Sequence, residues 1–167
     1  SLTGSSEVGK RIMSRAAGTL KQVSLELGGK SASIVCDDAD LDVVVDGALA
    51  GNFANAGQIC ISASRLLVAR PVYAEVVERL AHRIRDIKVG YQLMPDTRMG
   101  PLATVKQFET VQKYVETGKA EGARVVCGGR PLKLPGFEGG CYFEPTIFAD
   151  VNNSMRIARE EIFGPVL

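Results

Sequence analysis

The 167-residue sequence has a single histidine, His82, and none of its four cysteines falls in a C-x-x-C pair. Cys36, Cys60, Cys127 and Cys141 stand far apart, so the ligand spacing of a zinc cluster is missing and no metal centre is expected. Basic blocks and aromatic-basic stripes are also lacking. Twenty Lys and Arg against 19 Asp and Glu leave a formal charge of +1. Binding to a phosphate backbone needs concentrated positive charge, so no nucleic-acid partner is expected. No apolar run is long enough to span a bilayer and no signal-peptide pattern is visible, which argues against a membrane partner. Widely spaced thiols in such a composition read as reduced, and the expected compartment is cytoplasmic. Repeats and low-complexity tracts are absent.

What is present is an ordinary globular composition, 46% apolar and 23% charged. Eighteen glycines against seven prolines point to many tight connections between strands and helices. The sequence opens within a glycine-containing motif and stops at Phe163-Gly164-Pro165-Val166-Leu167, which reads as mid-element. The expectation is therefore a piece of a longer chain.

Residues 1–6 read as a turn, with Ser5 or Ser6 capping a helix that runs to about Leu20. Residues 22–26 and 31–35 read as short strands separated by the Gly28-Gly29 bend. Residues 41–54 form a helix that is apolar nearly all round, a pattern expected of a central, buried helix. The run Val43-Val44-Val45 would suit a strand equally well. Residues 65–69 read as a strand, and Pro71 is placed to start a helix with Val72, Val76, Leu80, Ile84 and Ile87 on one stripe. A loop at 91–99 precedes a helix marked by Val105, Phe108, Val111 and Val115. Then come a strand at 123–127, a Gly/Pro-rich excursion at 130–140, an extended segment at 141–148 and a short helix at 155–159. Helices alternating with short strands predict an α/β fold with a parallel-rich sheet flanked by helices. A boundary between sheets is expected near Gly28-Gly29.

Cys60 follows the apolar helix through the Gly57-Gln58 turn. A thiol held on a loop by a rigid helix suits a nucleophile that attacks a carbonyl; an isolated thiol equally suits a core position. Glu26 lies in the apolar context Leu25-Glu26-Leu27. It either points to solvent by simple alternation or faces a cleft as a proton acceptor. Gly28 and Gly29 either admit a ligand close to the backbone or merely turn the chain. Thr3-Gly4-Ser5-Ser6-Glu7-Val8-Gly9 resembles a phosphate-binding turn at a helix start, although it is not the G-x-G-x-x-G fingerprint. His82 lies among Arg79, Arg83 and Asp86 and reads as a surface residue.

Four segments in this order, Leu2-Thr3-Gly4-Ser5 with Gly9, Leu25-Glu26-Leu27-Gly28-Gly29-Lys30, Phe53-Ala54-Asn55-Ala56-Gly57-Gln58-Ile59-Cys60 and Glu160-Glu161-Ile162-Phe163-Gly164-Pro165-Val166, resemble the NAD(P)-dependent aldehyde dehydrogenase superfamily. The resemblance extends over essentially the whole chain. It implies that Cys60 attacks an aldehyde to give a thiohemiacetal and then a thioester, and that Glu26 activates the water that hydrolyses it. It further implies that Glu161 holds the nicotinamide ribose hydroxyls and that Phe163 lies beside the cofactor. Gly4 and Ser5 would meet the pyrophosphate, and Leu27 and Gly28 would bound the nicotinamide pocket.

The implied cofactor is NAD or NADP, the partner a small aldehyde, and the parent a homodimer or homotetramer. Residues 1–27 would close the cofactor domain and residues 28–167 would be a truncated catalytic domain. The family's oxyanion-hole asparagine and adenosine-binding segments have no counterpart here, so the isolated chain is expected to be inactive. Two alternatives stand beside hydrolytic oxidation: acylating dehydrogenation with coenzyme A, and a non-catalytic scaffold. Ile59, Ile61 and Phe53 suggest an apolar substrate throat or ordinary packing.

Overall fold

The computed structural model describes all 167 residues, which form six strands and five α-helices. The first pair of strands, β1 (Leu2–Gly4) and β2 (Leu25–Leu27), is parallel, with Thr3 opposite Glu26. Between them runs helix α1 (Ser6–Ala17), which Ser5 caps by accepting a hydrogen bond from the Val8 N–H at 3.4 Å. Such a cap satisfies one of the helix's four orphan donors. Half of the segment expected to be a turn at residues 1–6, Leu2–Gly4, is thus strand. Three residues without alternation carry no strand signal of their own; they extend because β2 supplies hydrogen-bonding partners. The helix also stops at Ala17, earlier than the expected Leu20.

The second pair, β3 (Ala32–Val35) and β4 (Arg65–Val68), is parallel as well, in the register Ala32↔Arg65 to Val35↔Val68. Helix α2 (Leu41–Phe53) crosses between them. The Asp40 carboxylate caps it, accepting from the Asp42 and Val43 N–H groups at 3.0 and 3.3 Å. The valine run is therefore helical: a capping carboxylate outweighs a modest β preference. The helix is not buried all round, however. Val45, Ala48, Asn52 and Phe53 face inward, whereas Val43 is 68% exposed. Only one side of the cylinder meets other elements, and the apolar residues opposite lie open.

Helix α3 (Arg70–Arg83) begins with Pro71 in its first turn and buries Val76 and Leu80, with Ile84 continuing the stripe just beyond. Each such side chain contributes about 1.5–3 kcal/mol of hydrophobic stabilisation. Arg79 and Arg83 reach across to Asp42 and Asp46 of α2 at 2.7 and 2.6 Å. These pairs are exposed, so they orient the two helices more than they stabilise them.

Helix α4 (Val105–Ala120) is capped by Thr104 and buries Val111 and Val115. The last strands, β5 (Arg124–Cys127) and β6 (Ile147–Ala149), pair antiparallel. The extended segment expected at 141–148 is regular strand only near its end. Its earlier part is held by an isolated bridge, Pro131↔Phe143, and by Phe143 packing edge-on against Phe108, with ring centroids 6.1 Å apart. Helix α5 (Arg156–Arg159) follows. The parallel-rich α/β expectation is met by two parallel pairs and one antiparallel pair, arranged as three small sheets. The change of sheet falls at Gly28-Gly29.

After α2 the chain makes a run of left-handed residues, Asn55, Ala56 and Gly57, with φ of 50, 53 and 71°. Asn tolerates this region, Ala does so at a cost, and Gly does so freely. Gly57 also faces the Gly164 carbonyl so closely that a Cβ would lie 2.0 Å from its oxygen. Gly57→Ala is expected to destabilise the chain by about 2 kcal/mol or more, combining overpacking with backbone strain. Urea unfolding checks this; an unchanged midpoint would contradict the contact.

Candidate active site

Strands β3 and β4 lie side by side in register, so the segments entering them must also be neighbours. Gly28-Gly29-Lys30 leads into β3 and residues 60–64 lead into β4. A Cβ on Gly29 would accordingly stand 3.7 Å from the Cys60 carbonyl oxygen, and Arg65 donates from Nη2 to the Lys30 carbonyl at 2.6 Å. Cys60 itself is exposed. It occupies a tight turn closed by the Ser62 N–H donating to the Ile59 carbonyl at 3.1 Å, and its own N–H donates to no backbone carbonyl.

The loop carrying Glu161 closes over the same place. Its carboxylate occupies the space a side chain at Gly28 would need, since a Cβ there would lie 1.8 Å from Oε2. Oε1 accepts from the Gly29 N–H at 3.4 Å. The neighbouring Glu160 turns the other way. Arg156 and Tyr114 donate to its Oε2 at 2.9 and 2.8 Å, and these two hydrogen bonds pull its carboxyl down to about 2. Glu160 is thereby committed to anchoring the loop, which leaves Glu161 as the acidic group facing the glycines. Phe163 has φ of 56° and is 38% exposed.

Glu161 thus meets the Gly28-Gly29 bend, the Cys60 backbone carbonyl lies beside Gly29, and next to them is a narrow cleft lined by Gly29, Gly57, Ile59, Glu161, Phe163 and Gly164 but by neither Cys60 nor Gly28. Glu26 is exposed at the centre of β2, and the half-buried Leu27 leads from it to the cleft. Gly4 and Ser5 lie at the end of β1, where Gly4 pairs with Leu27, so the start of α1 and the Gly28 bend are served by adjacent strand ends. His82 is exposed on α3. A cavity of about 130 Å³ lies between β4, α3 and β6, is lined mainly by apolar side chains and holds none of the candidate site residues.

Three features escaped the sequence reading. Asn52, 1% exposed, pairs with the half-buried Ser62: Ser62 Oγ donates to Asn52 Oδ1 at 3.1 Å and Asn52 Nδ2 donates to the Ala48 carbonyl at 2.8 Å. The pair fastens the turn after Cys60 to the last turn of α2. Gln107 reaches the Glu161 loop, as described below. Lys30 is buried enough that desolvation, reinforced by the Arg65 charge and opposed by Glu161, lowers its ammonium to about 8. An amide at i, i+10 or across 55 residues gives no local pattern, and a lysine after two glycines looks like any turn cation.

Cys60 therefore lies on an exposed turn whose backbone adjoins a glycine bend that continues from the strand bearing Glu26. The Aldehyde dehydrogenase family model matches residues 1–167, and the chain belongs to that family. It is 52% identical over its whole length to a betaine aldehyde dehydrogenase of Brucella anthropi and 50% identical to that of Brucella ovis, covering 34% of each. Among solved structures, betaine aldehyde dehydrogenase from Staphylococcus aureus in complex with NAD+ superposes with a TM-score of 0.96 at 40% identity, over 99% of this chain and 33% of that one. The NAD+ complex of an aldehyde dehydrogenase from Bacillus cereus superposes with a TM-score of 0.94 at 45% identity, with the same coverage. The chain spans about a third of the length of these relatives.

Lys30 also gives a pH signature. Its lowered value means that the unfolded chain binds more protons than the folded one between about pH 8 and 10.5. Stability from this group is present in full above the upper limit and is lost as pH falls through about 8. Lys30→Met is therefore expected to stabilise the chain at pH 7, on the order of 2 kcal/mol, with a smaller gain at pH 9.5. Urea unfolding at both values measures the difference, and an equal gain at each would refute the assignment.

Proposed function

We propose that the protein to which this chain belongs oxidises an aldehyde to a carboxylic acid with NAD or NADP, using Cys60 as nucleophile and Glu26 as general base. The observation that supports the reading is the exposed turn at Ile59–Ser62, which brings the Cys60 backbone beside Gly29 of the glycine bend. In the same proposal, residues 1–27 close the cofactor-binding domain and residues 28–167 belong to the catalytic domain; the change of sheet at the bend supports that division. The relatives' names make betaine aldehyde the first substrate to try.

The residues present suit a nicotinamide dinucleotide. The N-terminus of the 12-residue α1, headed by Ser5 and exposed, offers amide donors and a favourable dipole to a pyrophosphate. Glu161 stands in the Cβ-free space at Gly28 and has acceptor oxygens suited to ribose hydroxyls. When bound, the cofactor supplies the hydride acceptor.

The chain's own groups do the rest. The Cys60 sulfur, as thiolate, bonds to the aldehyde carbon, and the oxygen that becomes negative is met by the unspent Cys60 N–H. One such donor is worth about 3–4 kcal/mol in acyl chemistry. Loss of hydride from that carbon leaves a thioester on Cys60. Glu26 then takes a proton from water as the water oxygen attacks the thioester carbonyl, and collapse releases the acid and restores the thiolate. The glycine bend keeps side chains out of the space between thiol, carboxylate and cofactor.

Cys60→Ser in the intact protein is expected to reduce aldehyde-dependent NADH or NADPH formation to background; normal turnover would sink the assignment. Glu26→Gln is expected to retain a first burst of reduced cofactor while slowing steady turnover by about 10²-fold or more. A variant that loses burst and turnover together would place Glu26 in thiol activation instead. Product analysis with and without coenzyme A separates hydrolysis from acyl transfer.

A further inference from the structure

Two glutamines that no step above uses, Gln58 and Gln107, connect the Cys60 turn and the Glu161 loop to the same short stretch of chain at the start of α4. Gln58 Oε1 accepts from the Ala103 N–H at 2.9 Å. Its Nε2 donates to the Asn55 carbonyl at 3.0 Å, and the Asn55 side chain donates back to the Gln58 carbonyl at 3.0 Å. Next in sequence to Ala103, Thr104 caps α4 by accepting from the Gln107 N–H at 3.1 Å. The Gln107 side chain then donates from Nε2 to the carbonyls of both Ile162 and Phe163 at 2.8 Å. The partners dictate each amide's orientation, because an N–H needs the oxygen and two carbonyls need the nitrogen.

The two loops also touch directly. Gly57 meets the Gly164 carbonyl with no room for a Cβ, and Gly164 in turn lies against Val111 of α4, whose Cγ2 is 2.3 Å from where a Cβ at Gly164 would stand. The contact between the loops is backbone on backbone. The glutamine hydrogen bonds fix what that contact leaves free, the rotation of each loop about it. Phe163 holds a left-handed backbone (φ 56°) immediately beside the clamped carbonyls, a conformation that persists only where its surroundings enforce it.

We propose that Gln58 and Gln107 are positioning residues that register the nucleophile turn and the cofactor-side loop on one platform, the N-terminal turn of α4. The proposal rests on the reading of Cys60 as nucleophile and Glu161 as the cofactor-side carboxylate. Its chemical sense is that hydride leaves a carbon bonded to Cys60 for an acceptor held by the Glu161 loop. The reaction therefore depends on the offset between the two loops, and a displacement of about 1 Å costs up to about 10²-fold in rate.

The test uses the intact protein and follows kcat, KM for aldehyde and for NAD(P), and thermal midpoint. Gln58→Met keeps the length and removes the hydrogen bonds; it is expected to lower kcat about tenfold or more, with KM for aldehyde unchanged. Gln58→Glu keeps the acceptor for the Ala103 N–H and is expected to recover part of that loss. Gln107→Met is expected to lower kcat and raise KM for NAD(P). The Gln58→Met/Gln107→Met double variant is expected to lose less than the product of the single losses, because both break one frame.

Wild-type kcat in Gln58→Met, or single losses that simply multiply, would overturn the proposal. So would a loss that Gln58→Glu does not relieve and that follows the thermal midpoint. Cys60→Ser assayed alongside separates the two levels: if it is inactive while Gln58→Met is normal, the positioning role alone fails, whereas an active Cys60→Ser removes the site reading beneath it.

Discussion

The site depends on a backbone contact between residues far apart in the chain. Gly57 can approach the Gly164 carbonyl only because it carries no Cβ, while the missing Cβ at Gly164 lets that loop lie against Val111. That contact sets how the turn bearing Cys60 meets the loop bearing Glu161. Around it the structure spends several unfavourable conformations: left-handed backbone at Asn55, Ala56 and Phe163, each tolerated because neighbouring hydrogen bonds and packing enforce it. Three of the chain's five left-handed non-glycine residues fall at this contact, the other two being Leu20 and Asp150.

The parallel pairing of β3 with β4 is the second constraint. A parallel pair requires a crossover, here through α2, and the crossover must return to the end of the sheet where it began. The residues just before β4 therefore meet the residues just before β3. This brings Cys60 and Gly29 together, and the Lys30 carbonyl to Arg65, whatever their separation along the chain. The glycine bend also continues directly from β2, the strand that carries Glu26.

Much of this was legible in the sequence. The helices are marked by recurring apolar positions and by Ser5 and Pro71 at their starts, and Cys60, Glu26, Gly28 and Glu161 stand out through local motifs. The exceptions are instructive. β1 was read as a turn because three residues have no period to detect, and their extension depends on β2. Helix α2 was expected to be buried on all sides because composition reports how apolar a helix is, not how many neighbours surround it; Val43 at 68% exposure is the consequence. The burial of Lys30 was invisible because the residues that desolvate it come from elsewhere in the chain.

The sequence by itself determined the alternation of strands and helices, the family to which the chain belongs, and which side chains are chemically capable of acting, because these depend on residue type and on spacing within a few turns. Only the tertiary structure decided that Glu160 anchors the loop while Glu161 faces the glycines. The same holds for Gln58 and Gln107, which converge on the start of α4, and for Asn52, which secures Ser62 beside the thiol. Each of these assignments hangs on hydrogen bonds of about 3 Å between distant segments. Directional contacts of that kind exist only once packing has brought the segments together, so no local pattern can carry them.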